Sequence, residues 1–149
     1  MIALIQRVTA ARVEVDGIAR GEIAAGLLGL IAMERGDSAS QGARLLERLL
    51  DFRVFADDAG RMNRSLRDVR GGLLLVPQFT LAADTSSGNR PGFSTAAAPA
   101  VARTLFEQLI AAARAAYPHV VAGEFGAHMQ VSLTNDGPVT FWLEASPKA

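Results

Sequence analysis

The sequence predicts a single α+β domain in which two helices pack on a mainly antiparallel β-sheet or barrel. Three observations predict it. Short alternating apolar segments open and close the chain, two helical stripes fall between them, and turn signals separate every element. At 149 residues the chain fits one ordinary domain, residues 1–149, and a chain of this size buries roughly 68–70% of its unfolded surface. The last few residues are expected to form a disordered tail.

Ile2, Leu4 and Val8 alternate with less apolar positions, and Val13 and Val15 resume the period before Asp16-Gly17, a hairpin turn signal. Ile18 to Ile23 is the return strand. After Gly26, Leu27 to Ala32 reads as an apolar strand buried on both faces. Asp37 or Ser38 can cap a helix carrying Leu45, Leu46, Leu49 and Leu50 through about Asp51. Val54-Phe55 is a short strand, Asp57-Asp58-Ala59-Gly60 a turn, Gly72 to Val76 another apolar strand, and Asp84 to Ser94 a polar loop. Pro99 suits the first turn of a second helix with Val101, Leu105, Leu109, Ile110 and Ala113 on one stripe. Arg103 and Glu107 support that helix at i,i+4, and Pro118 ends it. Met129 to Leu133 alternates as a strand, Asn135-Asp136-Gly137-Pro138 breaks it, and Val139 to Leu143 is the last strand.

Composition excludes several kinds of chemistry. Half the residues are hydrophobic and the formal net charge is zero, so contact with a polyanion must be local rather than driven by a basic field. Fourteen of the fifteen basic side chains are arginine and Lys148 is the only lysine, which leaves no candidate for a Schiff base or a P-loop lysine. Without cysteine there is no disulfide, thiolate nucleophile or Cys-held metal. The start lacks the pattern of a secretory leader, and the longest apolar run, Ala24 to Met33, falls short of the ~20 residues that span a bilayer. A cytoplasmic protein without membrane contact, metal or cofactor is the expectation.

Familiar catalytic patterns are missing: there is no GxSxG, HExxH, GxGxxG after a strand, or Gly-rich loop ending in lysine. His119 and His128, the two histidines, lie outside the turn-rich segments, and neither is expected to be catalytic. Asp57-Asp58 reads as a turn former rather than an acid/base pair. Arg61, Arg64, Arg67 and Arg70 fall within ten residues. They read either as a phosphate-contacting edge or as a solvated face.

Two segments put polar groups and unusual backbone at strand ends: Pro77-Gln78-Phe79-Thr80-Leu81 and Asn135-Asp136-Gly137-Pro138-Val139-Thr140. With Met1 to Val8, Asp84-Thr85, Arg90-Pro91 and Met129 to Leu133, they make the chain resemble the D-aminoacyl-tRNA deacylases from end to end. The resemblance implies a homodimeric ester hydrolase acting on the aminoacyl-tRNA 3′ end. It places Gln78, Phe79 and Thr80 at the catalytic site, with the Phe79 and Thr80 amides as oxyanion donors, and implies that the 2′-hydroxyl of the terminal adenosine takes part. It also implies a cis bond before Pro138. The Gly137 and Pro138 carbonyls would then reach into the partner's site, accept from the substrate α-amino group and block an L side chain. Glycine would pass that filter, so mischarged glycyl-tRNA is an expected second substrate. Arg7 matches a family arginine beside this motif, where it would bond the motif's carbonyls; a surface or salt-bridged role is its other reading.

One departure is plain: Pro77 stands where the family has serine, removing a hydroxyl and an N–H. Gly92 also replaces the family's usual serine. Two other readings stay open. One is a noncatalytic dimeric protein that binds amino acids or aminoacyl-tRNA, with Pro77 marking lost activity. The other is a general esterase with Thr80 as nucleophile, which needs a nearby base that the sequence does not offer.

Overall fold

The computed structural model describes residues 1–147. Strand β1 (Ile2–Val15) is the organising element. It turns at Asp16-Gly17, whose φ values of 51° and 77° suit the two-residue hairpin foreseen from sequence, into β2 (Ile18–Ile23). β3 (Gly26–Ala32) then lies antiparallel to the first half of β1, while β2 pairs with its second half.

Helix α1 (Ala39–Asp51) follows, with Ser38 as N-cap; the Ser38 N–H donates to Gln41 Oε1 at 2.6 Å. After it come β4 (Phe55–Ala56), β5 (Met62–Arg64) and a short helix α2 (Leu66–Val69). β6 (Gly72–Pro77) runs into a 3₁₀ turn (Phe79–Ala82). Helix α3 (Pro99–Ala116) begins with Pro99 in its first turn, as expected, and leads to β7 (Val120–Ala122) and β8 (Gln130–Glu144).

The antiparallel expectation holds for β1 with β2, β3 and β8, but the sheet is mixed: β6 runs parallel to β3, and β7 parallel to β6. The reason is topological. A helix separates the members of each parallel pair, and a crossover of that length returns the chain in the same direction. The strand order β2-β1-β3-β6-β7 bends round until β7 meets β2; a Cβ at Gly21 would sit 3.1 Å from the Val121 Cβ. The result is a nearly closed barrel. Two helices were expected, and α2 is a third.

Both faces of β3 and β6 are used. Leu27, Ile31, Leu73 and Leu75 meet Leu45, Leu49, Leu105, Phe106 and Leu109 from α1 and α3, while Leu28, Leu74 and Val76 fill the barrel interior with Val8 and Val13. Each such side chain contributes about 1.5–3 kcal/mol by leaving water, and the period-2 geometry explains why these strands read as unbroken apolar runs. The α3 stripe falls where expected at Leu105, Leu109, Ile110 and Ala113 and differs only at its first position. Ala102, Leu105, Phe106, Leu109, Ile110 and Ala113 are buried, whereas Val101 is half exposed.

At the chain end, the Ala145 N–H donates to the Met1 carbonyl at 2.9 Å. The disordered tail expected there falls in part on residues 148 and 149, outside the described residues.

Candidate active site

β6 leaves the sheet at Pro77, the residue opposite Ile31. One further bond, Gln78 N–H to the Ile31 carbonyl at 2.7 Å, fixes where the strand ends. The chain then tightens into the 3₁₀ turn, whose internal bonds begin with Leu81 N–H to the Gln78 carbonyl at 3.2 Å. The Phe79 and Thr80 amides precede that first bond, so the turn itself offers them no acceptor. They are fixed donors. Gln78 Nε2 donates to Thr80 Oγ1, which ties the side chains of the turn together.

Beside this turn lies a cavity of about 440 Å³ lined by Pro77, Phe79, Ala102, Phe125, Met129 and Val131 among others. Its volume falls in the usual range for small-ligand sites, and its apolar walls with a few polar groups at one side match their usual chemistry. Phe79 is 56% exposed and its ring lies 5.1 Å from that of Phe93. Sequence reading singled out the turn but not the walls, because Ala102, Phe125 and Met129 come from α3, the 123–126 turn and the approach to β8. Met129 belongs to a segment that carries the family resemblance, Ala102 shows only apolar character at the start of α3, and Phe125 carries no signal in the sequence.

The second segment lies within β8, which runs unbroken from Gln130 to Glu144 where two strands were expected. Residues 136–139 bulge out of its pairing with β1, so the chain does not need to end the strand there. The Gly137-Pro138 peptide is cis, Gly137 has φ 142°, and both residues are exposed. Neither residue lines the cavity beside Gln78. The segment is braced from both sides: Arg7 Nε donates to the Asp136 carbonyl at 3.0 Å, and its Nη1 donates to the Val54 carbonyl at 2.7 Å. Asn135 Oδ1 accepts from the Val139 N–H at 2.7 Å, and Asn135 Nδ2 donates to Thr140 Oγ1 at 2.8 Å. Arg7 thus bonds the carbonyl before the motif and not those of Gly137 and Pro138.

The remaining sequence candidates fall outside the site. His119 and His128 are exposed. Asp57 accepts from the Ala59 and Arg61 amides and from Asn63, and the Asn63 hydrogen bond, then that of Arg61, holds its carboxyl below the usual value. It is a turn former. Among the four clustered arginines, Arg64 pairs with Asp58 and Arg67 with Asp51, each at 2.9 Å, which favours the solvated reading for those two.

The turn thus offers two rigid amide donors beside an apolar cavity, with no titratable side chain of its own, on a nearly closed mixed sheet. The D-Tyr-tRNA(Tyr) deacylase family model matches residues 4–144, and the chain belongs to that family. A D-aminoacyl-tRNA deacylase of Herminiimonas arsenicoxydans is 61% identical over 147 residues, 99% of each chain. One from Cupriavidus metallidurans is 60% identical over 154 residues, 100% of this chain and 99% of the relative. Among solved structures, a c-Myc DNA Unwinding Element Binding Protein superimposes with a TM-score of 0.93 at 35% identity, covering 99% of this chain and 100% of that one. A probable eukaryotic D-amino acid tRNA deacylase shares the fold at TM-score 0.81 and 16% identity, covering 96% of this chain and 98% of that one.

Proposed function

We propose that this chain hydrolyses the ester of D-aminoacyl-tRNA as a homodimer, with each site completed by the partner's Gly137-Pro138. The observation that carries the reading is the pair of Phe79 and Thr80 amides left without an acceptor in their turn, beside a cavity of about 440 Å³, in a chain of this family. Attack on the ester carbonyl builds negative charge on its oxygen. Fixed N–H donors stabilise that charge without moving a proton, and removing one such donor typically costs about 2.7–4 kcal/mol. The cavity suits the terminal adenine, with Phe125 and Met129 against the base. The 2′-hydroxyl of that nucleoside supplies the reacting chemistry, so the protein needs no histidine or lysine at the site.

A threonine nucleophile is disfavoured. Thr80 Oγ1 is held by the Gln78 amide, which cannot take its proton.

Support for the dimer comes from β8. Of its fifteen residues only Leu143 is buried, and Val131, Leu133, Phe141 and Trp142 stand exposed. An apolar strand of that length is an uncovered surface, and Gly137-Pro138 lies on it. Seated on a second copy, the two carbonyls would accept from the substrate α-amino group and leave no room for an L side chain. Glycine has no side chain to exclude, so mischarged glycyl-tRNA is a second substrate of the same site. A tRNA substrate fits a cytoplasmic protein. Among the described residues no helix is long and apolar enough to cross a membrane. The DNA element named for the 35% relative belongs to that protein; a net charge of zero gives this chain little of the field that duplex binding draws on.

The test is direct. Purified protein mixed with D-Tyr-tRNA and L-Tyr-tRNA should remove the D ester and spare the L ester. Loss of the D ester no faster than in buffer would reject the enzyme and leave the binding-protein reading.

A further inference from the structure

A second cavity, of about 430 Å³, opens between α3 and the 122–125 segment. It shares Phe125 with the cavity beside Gln78. Its polar groups stand on one stripe of α3, Arg103, Glu107 and Arg114, at spacings of four and seven residues, and Glu124 faces them from the other side. The stripe is about 16 Å long at the rise of an α-helix.

Arg103 marks the border between the two cavities. Its guanidinium lies 5.0 Å from the centroid of the Phe125 ring, and its Nη2 is 3.1 Å from where a Cβ on Gly126 would be. Gly126 in turn lines the first cavity. The expected partnership of Arg103 with Glu107 is not formed: among the described residues neither they nor Arg114 make an ion pair within 4 Å. Stacking on Phe125 therefore holds a guanidinium whose hydrogen-bond donors are unused. The partition is also tightly packed, since a Cβ on Gly123 would meet the Met129 sulfur at 2.8 Å.

We propose that this second cavity binds the penultimate nucleotide of the tRNA 3′ end, a cytidylate. Arg103 takes the phosphodiester that joins it to the terminal adenosine, Arg114 assists on the next phosphate, and Glu107 accepts from the cytosine 4-amino group. The inference rests on the deacylase reading for the identity of the RNA end. The mixed lining decides the ligand class. Two arginines and two glutamates, with Arg20 a further 4.0 Å from Glu124, make a poor trough for bare phosphates. A pyrimidine nucleotide presents both an anion and a base edge with a donor and acceptors, and a carboxylate is the usual acceptor for the cytosine amino group. Phe125 then stands between the two nucleotides, its ring toward the terminal base on one side and carrying the Arg103 guanidinium on the other.

The experiment is a calorimetric titration of the intact protein with adenosine, CpA and UpA, which needs no turnover. CpA should bind at least about tenfold more tightly than adenosine, with UpA weaker than CpA by a similar factor. Arg103→Ala, an exposed position whose loss leaves the core intact, should remove most of the CpA advantage, and Arg114→Ala a smaller part, with adenosine titrated alongside as the reference. Equal affinity of the wild-type protein for CpA and adenosine, or binding of neither, would overturn the proposal. So would Arg103→Ala weakening CpA and adenosine by the same factor, since that places the arginine in support of the Phe125 wall alone. Failure of the deacylase reading shows elsewhere, as a D ester that does not turn over.

Discussion

β3 and β8 lie along opposite edges of the same strand, β1, and their surroundings could hardly differ more. Six of the seven residues of β3 are buried, against one of the fifteen in β8. β3 is covered by helices outside and by the barrel interior within, so its environment is complete in one chain. β8 adds hydrogen bonds to β1 but leaves its apolar side chains in solvent. The difference separates what folds the molecule from what the proposed dimer uses: the amide donors hang from the end of β6, next to β3, while the carbonyls proposed to discriminate stand on the unfinished strand.

The sharpest way to break that division is Gly137→Ala. A Cβ there would lie 2.6 Å from Val139 Cγ2 and 2.9 Å from its nitrogen, at a φ of 142°. The displacement should lower kcat/KM on D-Tyr-tRNA by about a hundredfold, with circular dichroism and melting little changed because the residue is exposed. A loss below about threefold would show that the segment does not touch the reaction. On the buried side, Leu28→Ala or Leu75→Ala should do the reverse. Each empties a fully buried site and should cost about 2–5 kcal/mol in denaturant titrations, while kcat per folded molecule stays the same.

Arg7→Ala lies between the two. It leaves the Asp136 and Val54 carbonyls without their donor, which should cost about 1–3 kcal/mol, and it loosens the motif. The ratio of D to L hydrolysis should fall more than the D rate itself; an unchanged ratio would assign Arg7 to stability alone. Thr80→Ala removes one hydrogen bond and no donor amide, so turnover should drop by less than about tenfold. A nucleophile would leave no turnover at all.

The smallest effect concerns acid. The Asp57 carboxyl titrates below the ordinary carboxylate value because Asn63 and then the Arg61 amide bond its charged form. Its contribution to stability is therefore present above the unfolded value and is lost as pH falls through the lowered folded one. Asp57→Asn should differ from wild type in denaturant midpoint near neutrality and converge with it below that range. A gap that persists at lower pH would place the effect in the turn geometry rather than the charge.

Much of this was legible in sequence because it is local. The Asp16-Gly17 hairpin, the Ser38 cap and Pro99 in the first turn of α3 follow from residues a few positions apart, whereas the two site segments stand out through their resemblance to the family. What was missed is nonlocal. The parallel pairing of β3 with β6 needed the intervening helix to be read as a crossover, and that alternation was available. α2 and β7, of four and three residues, are too short to show a period. The cavity walls come from three distant segments. Val101 was placed on the buried stripe because apolar character alone cannot tell it from Ala102, which packs against the core.

In the proposed dimer, β8 is finished by a second copy whose Gly137-Pro138 completes the site. Light scattering at assay concentration, run alongside D-Tyr-tRNA turnover for the wild type and for Leu133→Asp on the exposed strand, tests it most directly. The wild type should have twice the chain mass and be active, and the variant should be a folded monomer without D-ester turnover. A monomer that hydrolyses the D ester and spares the L ester would contradict the account.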